Sequence, residues 1–330
     1  MKVTIYEVAK GAGVSTATVS KVINNTGNMR EETRKKVWNV IKEMNYHPNL
    51  VASALTGKGT QTLGLLVPDI SNPFFSAMAR QIEHYADVQG MSVIMCSVDG
   101  NIEKERKYIE LLRGKQVDGF IIASSFQDTE LLKGIIKEGF PIVMLSYDDA
   151  SIEVPKVTID DFKGGYEAAS HLYDKGHRNM AIIAEHTKSS NLRTYGYRVA
   201  LEARGVEFLE ENVYKTTASI ENGKASFEEI FHKGNVDSPT AVFACNDLLA
   251  IGVIQGATER GMKIPDNLAI IGFDNTILAT TTVPGLTTIS QPIAEMAEKT
   301  VNLIISEIQQ KKKVIKRVLF NPELICRGTT

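Results

Sequence analysis

Four residues near the amino terminus, Thr16, Ala17, Ser20 and Lys21, stand at helical spacing and combine two hydroxyls, a methyl and a cation with nothing bulky between them. Such a set suits entry into a nucleic-acid groove, where short side chains reach base edges and a cation reaches phosphate. A second set lies at intervals through the rest of the chain: Asn72, Phe74 and Phe75 within Pro68–Phe75, then Arg193, Asn246-Asp247, Asp274-Asn275 and Gln291. Amides, carboxylates and a guanidinium make paired hydrogen bonds to vicinal hydroxyls, and exposed aromatic faces cover apolar ring surfaces; this is the chemistry of a sugar-like polyol site. Taken singly, several of these residues have simpler structural roles. Asp247 and Asn275 read as helix caps, and Arg193 as the residue that opens a helix.

The first set needs a small helical scaffold. Thr4-Ile5-Tyr6-Glu7 fits a capping box, and Ile5, Val8 and Ala9 follow as a one-sided apolar stripe. Gly11 and Gly13 are expected to end this helix. Ser15 is a good N-cap for a second one, with Val19, Val22 and Ile23 inward and the four groove-type side chains outward. Asn24-Asn25-Thr26-Gly27 breaks that helix, and a third is predicted from about Glu31 to Met44, burying Val37, Val40, Ile41 and Met44. Helix, tight glycine-containing turn, helix is the helix-turn-helix spacing. Helices this short are not stable singly, so they hold one another.

The charge distribution agrees. The 330 residues carry a net charge of −2, which by itself argues against a polyanionic partner. Residues 1–60 hold nine Lys/Arg and four Asp/Glu, a net of +5, which leaves −7 on the remainder. A small basic head thus precedes a larger acidic body, and phosphate contact needs the basic one.

The second set needs strand ends. From Leu63 onward, near-continuously apolar runs alternate with helical segments: Leu63–Pro68, Val93–Val98, Gly119–Ser124, Ile142–Ser146, Met180–Ala184, Ala241–Cys245 and Leu268–Phe273. Runs of this kind fit strands buried on both faces of a parallel sheet. Gly90, Gly139, Gly176, Gly205 and Gly261 mark helix ends. Repeated βα units place ligands at the carboxyl ends of strands. About 270 residues exceed what one such sheet requires, so two similar subdomains with a cleft between them are expected. The predicted organisation is a head over 1–48, a hinge over 49–60 and a core over 61–330. The core divides into about 61–160 plus 292–320, and 161–291 plus 321–330.

Other classes of chemistry find little support. There is no Gly-x-Ser-x-Gly, no His-Glu-x-x-His and no Gly-x-Gly-x-x-Gly after a strand, so no enzyme activity is expected. Thr56-Gly57-Lys58-Gly59-Thr60 fails the phosphate-loop pattern, and Asp160-Asp161 reads as a helix cap. The six histidines lack ligand spacing, so neither a metal nor a cofactor is expected; His84 and His171 are placed on helix faces. Cys96, Cys245 and Cys326 form no CxxC pair and are read as small buried hydrophobes. The composition is 43% hydrophobic and 23% charged with a mean hydropathy of −0.09. With no apolar run of spanning length and no apolar leader, a cytoplasmic, nucleoid-associated protein is expected.

The segments Thr4–Ala9, Gly13–Asn24, Thr33–Val37 and Tyr46–Asn49, in this order, resemble the headpiece of the lactose-repressor/galactose-repressor (LacI/GalR) family of bacterial transcriptional regulators. The resemblance implies that Thr16, Ala17 and Lys21 face base edges in the major groove and that Ser20, Asn24 and Tyr46 approach phosphates. It further implies that Asn49 to Leu55 form a hinge helix that pairs with its dimer mate in the minor groove, Leu55 being the apolar wedge. Two positions depart from the family pattern. Lys21 stands where many members carry Arg and lacks the bidentate fork, and Ser53 stands where Arg is common.

The body resembles the effector domain of the same family, itself similar to periplasmic pentose- and hexose-binding proteins. By that resemblance Asn72, Phe74, Phe75, Arg193, Asn246, Asp274 and Gln291 line an effector cleft. Ser146-Tyr147 joins them at a position where sugar binders often have Asp-Arg, which permits a larger or less polar ligand. The fold class implied is an all-α helix-turn-helix headpiece plus an α/β periplasmic-binding-protein-like core of two doubly wound parallel-sheet subdomains. The function implied is a homodimeric regulator that binds palindromic operator DNA under control of a small sugar-like effector. An alternative is control by a phosphorylated carrier protein docking on Arg80, Arg106, Arg113 and Lys311 to Lys313.

Overall fold

The computed structural model of the chain describes residues 3–23, 26–46, 59–123, 125–232, 238–309 and 316–330. The chain divides into two compact units, 1–60 and 61–330.

In the first unit, the Glu7 carboxylate accepts from the Thr4 backbone N–H at 2.7 Å and from the Thr4 hydroxyl at 3.0 Å, starting α1 (Ile5–Ala12). Gly11 lies inside this helix; Gly13, at φ 62°, ends it in the left-handed conformation that glycine adopts without a steric cost. The Ser15 hydroxyl accepts from the Thr18 amide at 3.1 Å and so caps α2 (Thr16–Ile23). Helix α3 (Glu31–Glu43) closes the bundle. Val8, Ala9, Ala12, Val19, Val22, Val37 and Ile41 form one buried cluster. Asn24 and the stretch 47–58, which includes Asn49, Ser53, Leu55 and the expected hinge helix, lie outside the described residues.

The second unit contains two six-stranded sheets. Strands β1 (Thr62–Val67), β2 (Ser92–Ser97), β3 (Gly119–Ile122), β4 (Ile142–Leu145) and β5 (Lys156–Ile159) belong to the first sheet. Strands β6 (Met180–Glu185), β7 (Val213–Thr216), β8 (Ala241–Ala244), β9 (Ala269–Asp274) and β10 (Thr287–Ser290) belong to the second. The chain then returns β11 (Arg317–Phe320) to the first and β12 (Glu323–Ile325) to the second. The orders are β11-β5-β4-β3-β1-β2 and β12-β10-β9-β8-β6-β7, parallel except where β12 runs against β10. Among the described residues the chain thus passes between the sheets near 160, 291 and 321.

Helices cover both faces of each sheet, as parallel sheets require. On the first sheet, α4 (Pro73–Val88) and α12 (Ile293–Ile308) cover one face, and α5 (Ile102–Gly114) and α6 (Thr129–Lys137) the other. On the second, α7 (Asp161–Asp174) and α8 (Lys188–Glu202) oppose α9 (Ile220–His232) and α10 (Asp247–Glu259). The short α11 (Leu278–Thr281) follows β9. Contact between α7 and α8 is unusually close: a Cβ on Gly165 would lie 1.9 Å from the Arg193 carbonyl oxygen, and one on Gly196 would lie 1.9 Å from that of Phe162.

Three expectations are corrected. Strand β2 sits at a sheet edge and none of its residues is fully buried, because one side has no neighbouring strand. Of the cysteines only Cys245 is buried; Cys96, on that edge strand, is half-buried and Cys326 is exposed. The short strands β5, β7, β10, β11 and β12 fall outside the seven apolar runs, because each mixes polar with apolar residues. Among the described residues no helix is long and apolar enough to cross a membrane.

Candidate functional site

On the head, packing of Val19 and Val22 inward turns the other side of α2 out: Ala17 and Lys21 are exposed, and Thr16 and Ser20 are half-buried. Tyr46 packs against the head core, and burial raises the pKa of its phenol.

In the core, the carboxyl ends of both sheets face a cleft of about 810 Å³ that is open to solvent. Asn72, Phe74, Phe75, Ser146, Arg193, Asn246, Asp274 and Gln291 all line it. Asn72 caps α4, its side-chain oxygen accepting from the Phe74 amide at 3.0 Å. Phe74 is not an exposed aromatic as expected: it is buried in the sheet–helix core and meets the half-buried Phe75 edge-on at 5.1 Å. Ser146 follows β4 in the left-handed conformation (φ 56°), where its amide donates to the Val157 carbonyl at 2.8 Å. Its hydroxyl is buried and has no hydrogen-bond partner among the described residues.

The opposite wall is a connected network. Arg193 does not open α8; Thr187 caps that helix, accepting from the Ser190 amide at 3.2 Å, and Arg193 sits in its second turn, buried. Its guanidinium donates to Asp161 at 2.8 Å and to the Cys245 carbonyl, and lies 3.5 Å from the Phe273 ring centre. Asp161 is therefore an ion-pair partner, while Asp160 is the residue that caps α7. Asn246, not Asp247, caps α10, accepting from the Leu249 amide at 2.9 Å, and its amide group donates to Glu185 at 2.9 Å. Asp247 instead accepts from the Thr276 amide (2.6 Å) and hydroxyl (2.8 Å) and from the Thr288 hydroxyl (2.7 Å). Burial pushes its pKa up to about 6 against these bonds. Asn275 is no cap either: it accepts from Arg327 at 2.7 Å and donates to Ser290 at 3.1 Å.

At the floor, the Gln291 amide group donates to Asp274 at 2.7 Å, while the Gln291 side-chain oxygen is buried with no partner among the described residues. Asp274 is buried at φ 107°, a conformation a non-glycine residue adopts only when held there. Burial holds its carboxyl pKa well above the usual carboxylate range, although Arg193 opposes the shift. Two buried oxygens of residues that line the cleft, the Ser146 hydroxyl and the Gln291 side-chain oxygen, thus have no partner among the described residues. A buried polar atom without a partner carries a desolvation cost that a ligand hydroxyl removes.

Tyr147 lines the cleft beside Ser146, and residues absent from the expected set line it too, notably Asp161, Glu185 and Lys188. Glu185 was discoverable, because it directly ends the Met180–Ala184 run. Asp161 was hidden by its neighbour's capping role.

Comparison with known proteins agrees with this construction. Residues 4–49 match the bacterial regulatory proteins of the lacI family, and residues 169–330 match the periplasmic binding protein-like domain. Over 335 aligned residues, 100% of this chain and 98% of the relative, the chain is 45% identical to the HTH-type transcriptional regulator DegA of Bacillus subtilis (strain 168). It is 35% identical to catabolite control protein A of Priestia megaterium, covering 98% of each chain. Among solved structures, the lac repressor dimer bound to operator and the anti-inducer ONPF superposes with a TM-score of 0.88 at 26% identity, covering 100% of this chain and 99% of that one. The chain belongs to the LacI family of DNA-binding bacterial transcriptional regulators.

Proposed function

We propose that this regulator binds a palindromic operator as a homodimer and is switched by a small, uncharged, sugar-like effector held in the cleft between its two sheets. The observation that carries the effector reading is the meeting of eight polar and aromatic residues around one cleft in which the Ser146 hydroxyl and the Gln291 oxygen remain without partners among the described residues. The lac repressor structure, with operator and a small molecule in one complex, supports the same pairing of roles. On the head, Thr16, Ala17 and Lys21 are assigned to base edges and Ser20 and Tyr46 to phosphates, with Asn24, Asn49 and Leu55 as further DNA contacts. The nucleoid is the place of action that follows. The effector acts only through a difference in its affinity for two arrangements of the core.

Control by a phosphorylated carrier protein is not favoured. Arg106 is already bound to Asp128 and Glu103, and Arg113 to Glu138; Lys311 to Lys313 lie outside the described residues. The deciding measurement is a thermal-shift panel of sugars, sugar phosphates and nucleosides against the full-length protein. A raised melting temperature with a neutral sugar, accompanied by a change in operator affinity, is the expected result. Stabilisation by sugar phosphates or nucleosides alone would overturn the assignment.

A further inference from the structure

The cleft does not end at its own walls. A second space of about 670 Å³ opens beside it, and Ser146, Tyr147 and Lys188 line both. The first space by itself has the size of an ordinary small-ligand site, and this annexe, open to solvent, extends it. Its lining also differs. Phe162 and Leu192, from α7 and α8, and Leu319, from the edge strand β11, supply apolar surface, while the Asp148 and Asp160 carboxylates add acceptors. Leu192 is 40% and Leu319 61% exposed, large apolar side chains left facing water on either side of the opening.

Lys188 marks the waist between the two spaces. Its amine reaches across from α8 to the Asp148 carbonyl in the loop that follows β4, so the residues flanking the passage are held in register. Ser146, whose hydroxyl lacks a partner among the described residues, stands at the same waist. A sugar ring has an apolar face and a rim of hydroxyl donors; the annexe offers an aromatic ring and two leucines for the one and carboxylates for the other. Asp148 already accepts from Lys156 and Arg317, and Asp160 caps α7, each with acceptor capacity to spare.

We infer that the effector is a two-ring saccharide, with one ring in the inner cleft and the second in the annexe between Phe162, Leu192 and Leu319. This rests on the reading of the inner cleft as an effector site, and extends it from a chemical class to a size and a shape.

The test is titration calorimetry of the full-length protein with matched monosaccharide and disaccharide pairs: glucose with cellobiose and with maltose, xylose with xylobiose, and mannose with mannobiose. In the series that binds, the disaccharide is expected to be at least about tenfold tighter than its own monosaccharide, the gain from covering one apolar ring face. Leu192→Glu and Leu319→Ser are each expected to erase most of that gain and leave monosaccharide affinity unchanged, which also shows that the variants are folded. Equal affinity for both members of the binding pair overturns the annexe and leaves the inner site standing. A disaccharide preference that survives both substitutions overturns this location for the second ring. Failure of every saccharide to bind overturns the inner site, and the extension with it.

Discussion

On the side of the first sheet the cleft is lined by Asn72, Phe74, Phe75, Ser146 and Tyr147, none of them charged; on the side of the second it is lined by Asp161, Glu185, Arg193, Asn246 and Asp274. Both sets occupy the carboxyl ends of parallel strands in sheets of the same strand order. On the uncharged side each polar group makes at most local contacts: Asn72 binds the amide two residues on, and the Ser146 hydroxyl binds nothing among the described residues. On the charged side, bonds cross between elements far apart in sequence, from Arg193 to Asp161 and Cys245, and from Asn246 to Glu185. One wall is therefore cross-braced by bonds between distant elements, and the other is held by bonds within its own turns, its Ser146 hydroxyl having no partner among the described residues.

This contrast predicts unequal responses to mutation. Arg193→Ala removes the cation from a buried cluster of carboxylates, and loss of one member of such a pair costs roughly 3–5 kcal/mol of stability. Urea denaturation of the variant should show a correspondingly lower midpoint. A variant as stable as the parent would mean that Arg193 serves the ligand alone and that the cross-braced wall is no network.

A smaller effect concerns pH. Asp247 has a pKa of about 6 in the folded protein against 3.8 for the ordinary carboxyl. Between those values the native state keeps a proton that the unfolded chain has released, so its contribution to stability falls as pH rises from about 4 to about 6 and is flat above. Relative to the parent, Asp247→Asn should therefore gain in urea midpoint across that window, even though it loses hydrogen bonds to Thr276. A constant difference from pH 4 to pH 7 would remove Asp247 from the pH response.

The smallest effect belongs to the uncharged wall. Asn72→Ala deletes one helix cap, worth about 1 kcal/mol, and Asn72→Asp, which keeps a capping oxygen, should recover most of it. A loss from Asn72→Ala as large as that from Arg193→Ala would erase the distinction between the walls.

How much of this was legible in the sequence varied with the range of the interaction. The seven apolar runs contain β1, β2, β3, β4, β6, β8 and β9 to within a residue or two at their ends, because a strand buried between helices must be apolar throughout. Lys156–Ile159 and Val213–Thr216 carry lysines, and their strand character comes from the neighbours they pair with rather than from composition. The site followed from the rule that ligands gather at strand ends, which is why eight residues spread along the chain converge on one cleft. Roles that depend on a partner were not legible. Asp161 looks like part of a cap until Arg193, 32 positions later, comes to meet it, and Asp247 looks like a cap until Thr276 and Thr288 do the same. The capping box and the Ser15 cap in the head were readable because every atom they need lies within four residues.

The close seating of α7 on α8 has a mechanical consequence. Gly165 rests on the backbone of Arg193 itself, and Gly196 rests on the backbone of Phe162, next in sequence to Asp161. The ion pair is thus bracketed by two backbone-to-backbone bearings, one from each helix, and neither helix has room to slide or roll against the other. Whatever tugs on the arginine moves a block of two helices, and that block is joined at residue 160 to the last residues of β5. A force applied at Arg193 is thus shared by both helices, as in a stiff crank with no play in its joints.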